Sequence, residues 1–593
     1  MGEVLAGDRI ENSVYKLEVK APKTCEVACA VVLKKPEKDA FVRAIDDEYR
    51  VHWIVDQLPV GMEEKNEFGE TSFRRGFPVG FHTGTKPKQY KHYINNHIRI
   101  IIKYHDDIGA ENLNGEETTT KIVGFRVEPM SIKHAYEGEY QPGVTKLSTC
   151  NAETQAASDP KLYQNVDRAE TVIFTYDVLW EKSDVEWGNR WDAYLNVNLP
   201  NDKVHWFSIT NSIMIVLFLT VMIAMILIRA LRKDIAQYND PASLEEAKEE
   251  SGWKLVHGDV FRAPANAPML FSVFVGTGVQ LSLMSVATLS FAILGLLSPA
   301  NRGSLVTGFI LLFVFMGAFA GYYSSTTYKM FRGAEWKQNT LFTAFFYPGL
   351  TFTVLGALNC VLWMEGSSAA LPFSSFFLLL FLWFCVSMPL VFLGSFFGYK
   401  RESIKFPVRT NQIPRAIPVQ VWYMHPAITS LVGGILPFGA VSVELYFIMS
   451  ALWLHQIYYI FGFLFLVGVV LLVTCAEISI LLCYLQLCNE DYRWWWRSFL
   501  ASGSCAGYTL LYSVWYNLTE LSLSGFVPLM LYFGYMAIIS FSFFLITGTI
   551  GFYAAFWFNI QIYSSIKVRR AFLSPVPASP LSLLLCSSPF FSL

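Results

Sequence analysis

Nine apolar segments between residues 206 and 557 constrain the fold of this chain more than any other feature. Each segment is near the ~20 residues that an α-helix needs to cross the hydrocarbon core of a bilayer. They lie at about 206–228, 270–297, 304–326, 340–363, 371–395, 427–452, 457–486, 498–516 and 525–555. The 593 residues are 16% charged, whereas a typical soluble domain has about a quarter charged residues. The sequence therefore predicts a polytopic α-helical membrane protein with a nine-helix transmembrane domain over residues 206–557.

Residues 1–205 have a different pattern, which predicts an N-terminal β-sandwich-like domain. The runs SVYKLEVKA, HIRIIIKYH, KIVGFRVEP and TVIFTYDVLWE are rich in β-branched and aromatic residues and are separated by turn-forming clusters. The short group His105, Asp106 and Asp107 is read as a solvated strand end in preference to a metal site. Metal and cofactor sites are not predicted, and no catalytic motif is found. The sequence therefore favours a non-enzymatic protein.

Three cysteines fall in this domain: Cys25, Cys29 and Cys150. The spacing of Cys25 and Cys29 is too sparse a signal for a zinc site. If the domain is lumenal, two of the three are expected to form a disulfide and one to lack a partner within the chain.

Basic residues cluster in alternate loops of the membrane domain and predict its orientation. The clusters are Arg229, Arg232 and Lys233; Lys329, Arg332 and Lys337; Lys400, Arg401, Lys405, Arg409 and Arg415; Arg493 and Arg497; and Lys567, Arg569 and Arg570. The positive-inside rule assigns these loops to the cytosol. Nine spans then make the N-terminal domain lumenal and the C-terminus cytosolic. Several tryptophans at segment ends, including Trp494, Trp495 and Trp496, are expected at the membrane interface.

The stretch 407–448 joins a basic loop to an apolar segment. Four prolines break its first half, which predicts an ordered, non-helical loop carrying Arg409 and Arg415. These two arginines are candidates for contact with anionic lipid headgroups, although such residues more often only enforce topology. The second half contains a glycine pair, Pro437 and a lone acid, Glu444.

Glu444 and Glu477 are the clearest candidates for a functional site inside the membrane. A carboxylate in the bilayer is unfavourable unless it is protonated, paired or hydrated. One interpretation is a protonated acid hydrogen-bonded inside the bundle, and the other is a proton or polar-cargo site. Counting ~1.5 Å per residue along the helices places the two acids about 10–15 Å apart in depth. They could line one path without sharing a proton.

Three pairs of glycines have GxxxG spacing: Gly317 and Gly321, Gly394 and Gly398, and Gly503 and Gly507. Small residues let helix backbones approach closely in lipid. Packing within the bundle is the favoured interpretation. The alternative is that one such face docks the transmembrane helix of a client protein.

Several longer stretches resemble signature sequences of the nonaspanins, the transmembrane nine superfamily. They are GWKLVHGDVFR (252–262), YKMFRGAEWKQN (328–339), RTNQIPRAIPVQVWY (409–423), LPFGAVSVELYFI (436–448) and LCNEDYRWWWRSF (487–499). Further matches are GDRIENSVY (7–15), IDDEYRVHWIVDQLPV (45–60) and HWFSITNSIMIVLF (205–218). The resemblance covers about residues 2–568 and implies a lumenal β-sandwich domain, nine spans and residence in Golgi and endosomal membranes. It also implies a role in sorting or localising other membrane proteins.

Both ends of the chain depart from what this resemblance implies. Family members carry a signal peptide and further lumenal sequence, which we expect to be missing upstream of GDRIENSVY (7–15). Residues 558–593 are expected to form an atypical, disordered cytosolic tail, and its composition puts binding to coatomer in doubt. The expected partners are therefore the lipid bilayer and client membrane proteins, with no nucleic acid. The alternative function is a proton- or ion-coupled transporter or channel that uses Glu444 and Glu477.

Overall fold

A computed structural model describes most of the chain. The described residues are 11–65, 71–83, 90–108, 118–136, 147–149, 162–166, 171–191, 202–239, 252–294, 296, 304–367, 370–453, 461–521, 523 and 525–564. Cys150 and the tail beyond residue 564 lie outside them, so the expectations on those segments stay predictions.

The N-terminal region is rich in β-structure and contains one short helix, α1 (Lys35–Asp46). The strands are β1 (Lys23–Val32), β2 (Arg50–Val51), β3 (Ile54–Val55), β4 (Leu58–Pro59), β5 (Gly61–Lys65), β6 (Thr71–Arg75), β7 (Phe77–Pro78), β8 (Gly80–Thr83), β9 (Lys91–Ile94), β10 (His97–Ile108), β11 (Thr118–Met130) and β12 (Thr171–Lys182). Six of them form one sheet in the order β1-β12-β10-β11-β5-β6, and the others pair into two-stranded sheets. Strands β10 and β12 run parallel, and β10 and β11 run antiparallel.

One face of the large sheet packs against the small two-stranded sheets. On one face Ile98, Ile100 and Ile102 of β10 pack with Leu58 and Phe77 from the small sheets. Residues of the opposite parity face the other way, because successive side chains of a strand point to opposite sides. Three of the predicted strand runs are correct, but SVYKLEVKA is not: residues 13–21 have no strand, and the edge strand begins at Lys23. In place of two sheets of similar size, the described residues hold one large sheet with small two-stranded sheets.

The rest of the described chain is predominantly helical. Its helices are α2 (Asp202–Asn239), α3 (Pro268–Ile293), α4 (Ser304–Met330), α5 (Trp336–Met364), α6 (Phe373–Phe381), α7 (Met388–Lys400), α8 (Pro426–Trp453), α9 (Phe461–Cys488), α10 (Trp494–Tyr516) and α11 (Phe526–Ser564). Helices α6 and α7 are joined by a π-helical turn, Leu382–Ser387, into one continuous rod. Each of the nine predicted apolar segments therefore corresponds to one helix or rod.

Eight of these helical stretches in the described residues are long and apolar enough to cross a membrane. They are Ile209–Arg229, Pro268–Ile293, Leu305–Met330, Trp336–Met364, Phe373–Lys400, Pro426–Met449, Gly462–Cys488 and Phe526–Ser564. Helix α10 is absent from this set, although 23 residues correspond to about 34 Å of helix, enough to span. The structure is thus that of a polytopic membrane protein, and the predicted ninth span rests on α10.

The helices pack into one connected bundle. Helix α4 packs on α3 and α7, α10 packs on α8 and α11, and α11 also contacts α3. Helix α2 packs against α8 and α9. Pro437 lies inside α8 without interrupting it, so this helix is not discontinuous.

Candidate functional sites

The first candidate site is Glu444 on helix α8. Its side chain is buried, with 1% of the residue exposed. The hydroxyl of Ser212 on α2 donates a hydrogen bond to Oε1 of Glu444 at 2.5 Å. Inside a membrane such a contact replaces the water that a carboxyl group would otherwise need. Glu444 is therefore held by a polar contact between two helices.

Glu477 on α9 lies beside a second hydroxyl of α2, that of Thr220, which interacts with its carboxyl group. Thr220 also donates to the carbonyl of Val216 at 2.8 Å. Ser212 and Thr220 are eight residues apart on α2, which corresponds to about 12 Å along the helix axis. Helix α2 thus presents one hydroxyl to each acid. Sequence reasoning missed both hydroxyls, since lone Ser and Thr residues are common in apolar helices.

The space beside Glu444 is small. A cavity of about 10 Å³, room for about one water molecule, lies between α2, α8 and α9. Apart from Ser212 and Glu444 its lining is aliphatic: Ile209, Val441, Leu466, Val467 and Val470. The arrangement can hold a proton or a single water next to the acid.

The first two GxxxG pairs face each other across one helix contact. Gly317 and Gly321 on α4 lie against Val391, and an added Cβ at Gly321 would overlap the carbonyl of Val391. A Cβ at Gly394 on α7 would overlap the carbonyl of Ala318, and one at Gly398 would overlap Ser325. These four glycines therefore permit the close approach of α4 and α7.

The third pair is split between two environments. A Cβ added at Gly503 on α10 would lie 2.7 Å from the Phe544 ring on α11. Gly507 is exposed and has no atom within 4 Å of an added Cβ. Of the six glycines singled out in the sequence, Gly507 alone has open space beside it.

Three tryptophans at the start of α10 fasten the segment 252–266 to the bundle. Indole N–H groups of Trp494, Trp495 and Trp496 donate to the carbonyls of Val260, Arg262 and Asn266 at 2.8, 2.8 and 2.9 Å. Trp494 and Trp495 are 0% and 2% exposed. These two rings therefore pack inside the protein and do not face lipid. Their N–H groups and ring faces are used inside the protein.

The same end of the bundle carries the loop 401–425, which has no α-helix or strand, as predicted. Arg415 forms an ion pair with Glu490 at 3.0 Å, whereas Arg409 is exposed. The N–H of Asn411 donates to the carbonyl of Gly258, which ties this loop to the tryptophan-bound segment. We call this assembly of residues 252–266, 401–425 and 487–497 the cap. It brings together three of the stretches that carry the family resemblance.

A buried polar network lies between strands β10 and β12. Nδ1 of His97 is 2.7 Å from Oγ1 of Thr175, and Nε2 of His97 is 3.3 Å from Oδ2 of Asp177. This order of hydroxyl, imidazole and carboxylate resembles that of a hydrolase triad. However, His97 and Thr175 are 0% exposed and Asp177 is 1% exposed, so a substrate has no access to the hydroxyl. The network is a structural element of the sheet.

His134 and Thr149 extend this network. His134 places Nε2 3.0 Å from Oγ1 of Thr175 and Nδ1 2.9 Å from Oγ1 of Thr149. Burial, together with the nearby His97, lowers the pKa of His134 to about 4. Burial alone would raise the pKa of Asp177, but hydrogen bonds from His97 and from the Cys25 N–H lower it.

The structure describes two of the three cysteines of the N-terminal region, Cys25 and Cys29. Cys25 is disulfide-bonded, and Cys29 is a free thiol. Cys25 and Cys29 therefore do not bond to each other, and the third cysteine, Cys150, lies outside the described residues. The group at His105 resembles an ordinary strand end, since Asp106 pairs with Lys20 at 2.8 Å and His105 contacts the carbonyl of Ser183.

Comparison with known proteins identifies the family. The family model of endomembrane protein 70 matches residues 1–526. Transmembrane 9 superfamily member 9 from Arabidopsis thaliana is 50% identical over 578 residues, which cover 96% of this chain and 88% of that protein. This chain belongs to the endomembrane protein 70 family. Human relatives in the family include transmembrane 9 superfamily members 4 and 2, each 43% identical over 96% of this chain. No solved structure matches it.

Membership of the endomembrane protein 70 family confirms the resemblance drawn from the signature stretches. Three of those stretches meet in the cap, and a fourth carries Glu444. In this family member, four of the signature stretches therefore take part in contacts between helices and loops that are distant in sequence. Glu444, Glu477, Arg409, Arg415 and the glycines remain candidates for function.

Proposed function

We propose that this protein is a non-enzymatic endomembrane protein that sorts other membrane proteins and maintains their location in the Golgi and endosomal system. The observation that carries the proposal is membership of the endomembrane protein 70 family over nearly the whole chain. In this proposal the N-terminal domain is lumenal and the basic loops and C-terminus are cytosolic, as the positive-inside rule favours.

The surroundings of the intramembrane acids support a scaffold over a transporter. The cavity at Glu444 has room for about one water molecule, and its other walls are aliphatic. Helix α8 continues through Pro437, whereas transporters often use discontinuous helices at their binding sites. The polar contacts of Ser212 and Thr220 then serve to fix α2 on the bundle.

The client is proposed to be a membrane protein that docks its transmembrane helix against α10 at Gly507. Support comes from the open space at this glycine, beside the exposed side chains of Leu511 and Val514. The other five glycines of the GxxxG pairs are already in contact with neighbouring side chains or backbone. Gly507 therefore offers close backbone approach to a partner helix.

Co-purification tests the proposal. Tagged wild-type protein should enrich membrane proteins from its native cells, and its deletion should change their location. Gly507→Ile should reduce their recovery at least about 5-fold, because the new side chain blocks close approach. Gly468→Ile, at another open helix glycine, is the matched control and should retain the clients. If wild type enriches no membrane protein and deletion leaves membrane proteins in place, the proposed function is wrong.

The rival function is an ion- or proton-coupled transporter. The observation in its favour is that α2 aligns a hydroxyl with each of Glu444 and Glu477. Flux in proteoliposomes that is abolished by Glu444→Gln and Glu477→Gln would establish it. Absence of flux in wild type, or flux that survives both substitutions, would reject it.

A further inference from the structure

The loop 401–425 is fixed to the rest of the cap along its length. One ring contact and three polar contacts hold it, and they join Phe406 to Phe261 (4.6 Å between ring centroids), Asn411 to Gly258 (2.8 Å), Arg415 to Glu490 (3.0 Å) and Gln420 to Asn489 (3.0 Å). In addition, Pro414 and Pro418 restrict the backbone and keep the residues before them extended. The loop therefore cannot turn its outward side chains into the protein without breaking these contacts.

Large apolar side chains project from the side of this loop that faces away from the cap. Ile413 and Val419 are 83% and 102% exposed, and Trp422 is 75% exposed. Aliphatic and aromatic groups gain free energy when they leave water for apolar surroundings. We call these three residues, together with the exposed Arg409, the outer face of the loop. Its composition favours a partner that is apolar and negatively charged.

The contacts to Asn489 and Glu490 place the outer face at the level of the lipid headgroups. These two residues directly follow α9, whose spanning stretch Gly462–Cys488 has 27 residues and a length of about 40 Å. The hydrocarbon core is about 30 Å thick, so a centred helix extends about 5 Å into the headgroup layer at each end. Trp422 lies just before α8, which begins at Pro426, and tryptophan favours this layer.

The charge of the loop favours an anionic lipid surface. It has one acid, Glu402, and four basic residues, which are Arg401, Lys405, Arg409 and Arg415. Glu490 pairs with Arg415, and Glu402 lies 3.6 Å from Lys405. Arg409 is exposed on the same side as the apolar residues. A basic residue beside inserted apolar groups is the usual composition of a surface that binds an anionic leaflet.

We propose that the outer face inserts Ile413, Val419 and Trp422 into the headgroup layer of an anionic leaflet, with Arg409 at the lipid phosphates. Apolar insertion and charge attraction reinforce each other at a membrane surface. Because the loop is bonded to residues 258 and 489–490, its insertion also fixes the cap on the membrane. This inference does not rest on the sorting role, since it involves the loop and the bilayer alone.

Fluorescence quenching on the full chain in lipid nanodiscs tests the insertion. A fluorophore is attached to Val419→Cys, and nitroxide-labelled lipids quench it if it lies in the bilayer. Two other exposed valines give matched controls: Val14→Cys in the N-terminal region for water, and Val443→Cys on α8 for lipid. The Val419→Cys label should be quenched at least about 3-fold more than the Val14→Cys label. Protein without an added cysteine gives the background from native thiols.

The preference for anionic lipid is measured with the same Val419→Cys label. Nitroxide-labelled phosphatidylserine should quench it at least about 2-fold more than nitroxide-labelled phosphatidylcholine at the same fraction. Arg409→Gln should remove this difference. Arg43→Gln, at an exposed arginine of α1, makes the same substitution away from the loop and should keep it.

Two results would overturn the proposal. Quenching of the Val419→Cys label no greater than that of the Val14→Cys label would show that the outer face lies in water, where a cytosolic protein could cover it. Equal quenching by the two labelled lipids, or a preference that survives Arg409→Gln, would overturn the anionic assignment. Val419 is fully exposed, so its substitution should leave the melting temperature unchanged, and that measurement confirms that the labelled protein is folded.

Discussion

The hydrogen bond between Ser212 and Glu444 joins helix α2 to helix α8. The acid is buried, and the hydroxyl supplies a hydrogen bond from a different helix. Hydrogen bonds of this kind in membrane bundles are worth about 0.6–1.7 kcal/mol. The contact is therefore a modest but directional contribution to the docking of α2.

A double-mutant cycle of Ser212→Ala and Glu444→Leu, each of which removes one partner of the hydrogen bond, should give a coupling free energy of about 1 kcal/mol. The readout is reversible unfolding of the purified protein in detergent. Ser290→Ala is the control and should change stability little, because that hydroxyl donates to the carbonyl of Val286 in its own helix. Additive effects of the first two substitutions would show that the contact does not stabilise the fold.

The N-terminal domain should lose stability as the pH falls below neutrality. The folded pKa of His134 is lowered from 6.5 to about 4, so the unfolded chain binds more protons between these values. The stability that His134 contributes is complete above pH 6.5 and is lost as the pH falls toward 4, by about 3 kcal/mol in total. The lowered pKa of Asp177 acts only below its ordinary value of 3.8 and does not enter this window.

The measurement is hydrogen-exchange protection of strand β12 at pH 7 and pH 5, corrected for intrinsic rates. Wild type should lose protection at pH 5. In His134→Gln, which keeps a hydrogen-bonding side chain but does not titrate, the two pH values should give similar protection. Equal pH dependence in both proteins would assign the effect to another group.

Sequence patterns identify some of these residues but not others. An acid inside an apolar run is conspicuous, which is why Glu444 and Glu477 could be predicted as candidates. Ser212 and Thr220 could not, since a hydroxyl in a membrane helix usually bonds to its own backbone. His97 and Asp177 were also missed. Alternation along a strand predicts that polar residues face water, whereas these two side chains are buried against other polar groups of the domain.

At the scale of elements, the contact between α4 and α7 depends on glycine. Gly394→Ala would place a methyl group into the carbonyl of Ala318 and should destabilise the protein by about 1–3 kcal/mol. Gly507→Ala meets open space and should be neutral or stabilising by up to about 1 kcal/mol, since alanine favours the helix. Melting of both variants in detergent checks the pair. Equal effects would mean that α4 and α7 do not approach as closely as described.

The cap depends on the indole donors of α10. Trp494→Phe keeps an aromatic ring but leaves the buried carbonyl of Val260 without the indole N–H donor, which should cost about 1–3 kcal/mol. Faster hydrogen exchange across residues 252–262 is the expected signature. Trp422→Phe, at a ring that is 75% exposed, is the control and should leave that exchange unchanged.

The elements themselves were largely predictable, whereas the cap was not. Apolar runs of spanning length predict helices because lipid leaves the backbone few alternatives. The segment 252–262 contains no apolar run of that length. A run of three tryptophans, such as 494–496, is typical of a membrane interface. Only the packing of distant segments decides that Trp494 and Trp495 donate to Val260 and Arg262.

At the scale of the whole molecule, the layout depends on helix α10. It contains Ser498, Ser502, Ser504, Thr509 and Ser513, which lower its hydropathy. Four of these five side chains are buried in the protein, Ser504 being the exception. A helix surrounded by other helices does not need an apolar surface to lie in a bilayer. If α10 spans, the chain crosses nine times and its ends face opposite sides; with eight crossings they face the same side.

Cysteine labelling in sealed vesicles distinguishes these layouts. Lys405→Cys precedes α8 and Phe526→Cys follows α10, and both positions are exposed at 87% and 79%. A membrane-impermeant maleimide added from the cytosolic side should label Lys405→Cys directly. Phe526→Cys, and Lys35→Cys in the N-terminal domain, should be labelled only after permeabilisation.

Unsubstituted protein gives the background from the native thiols. Labelling of Phe526→Cys from the cytosolic side would remove α10 as a span, and labelling of Lys35→Cys there would invert the N-terminal domain.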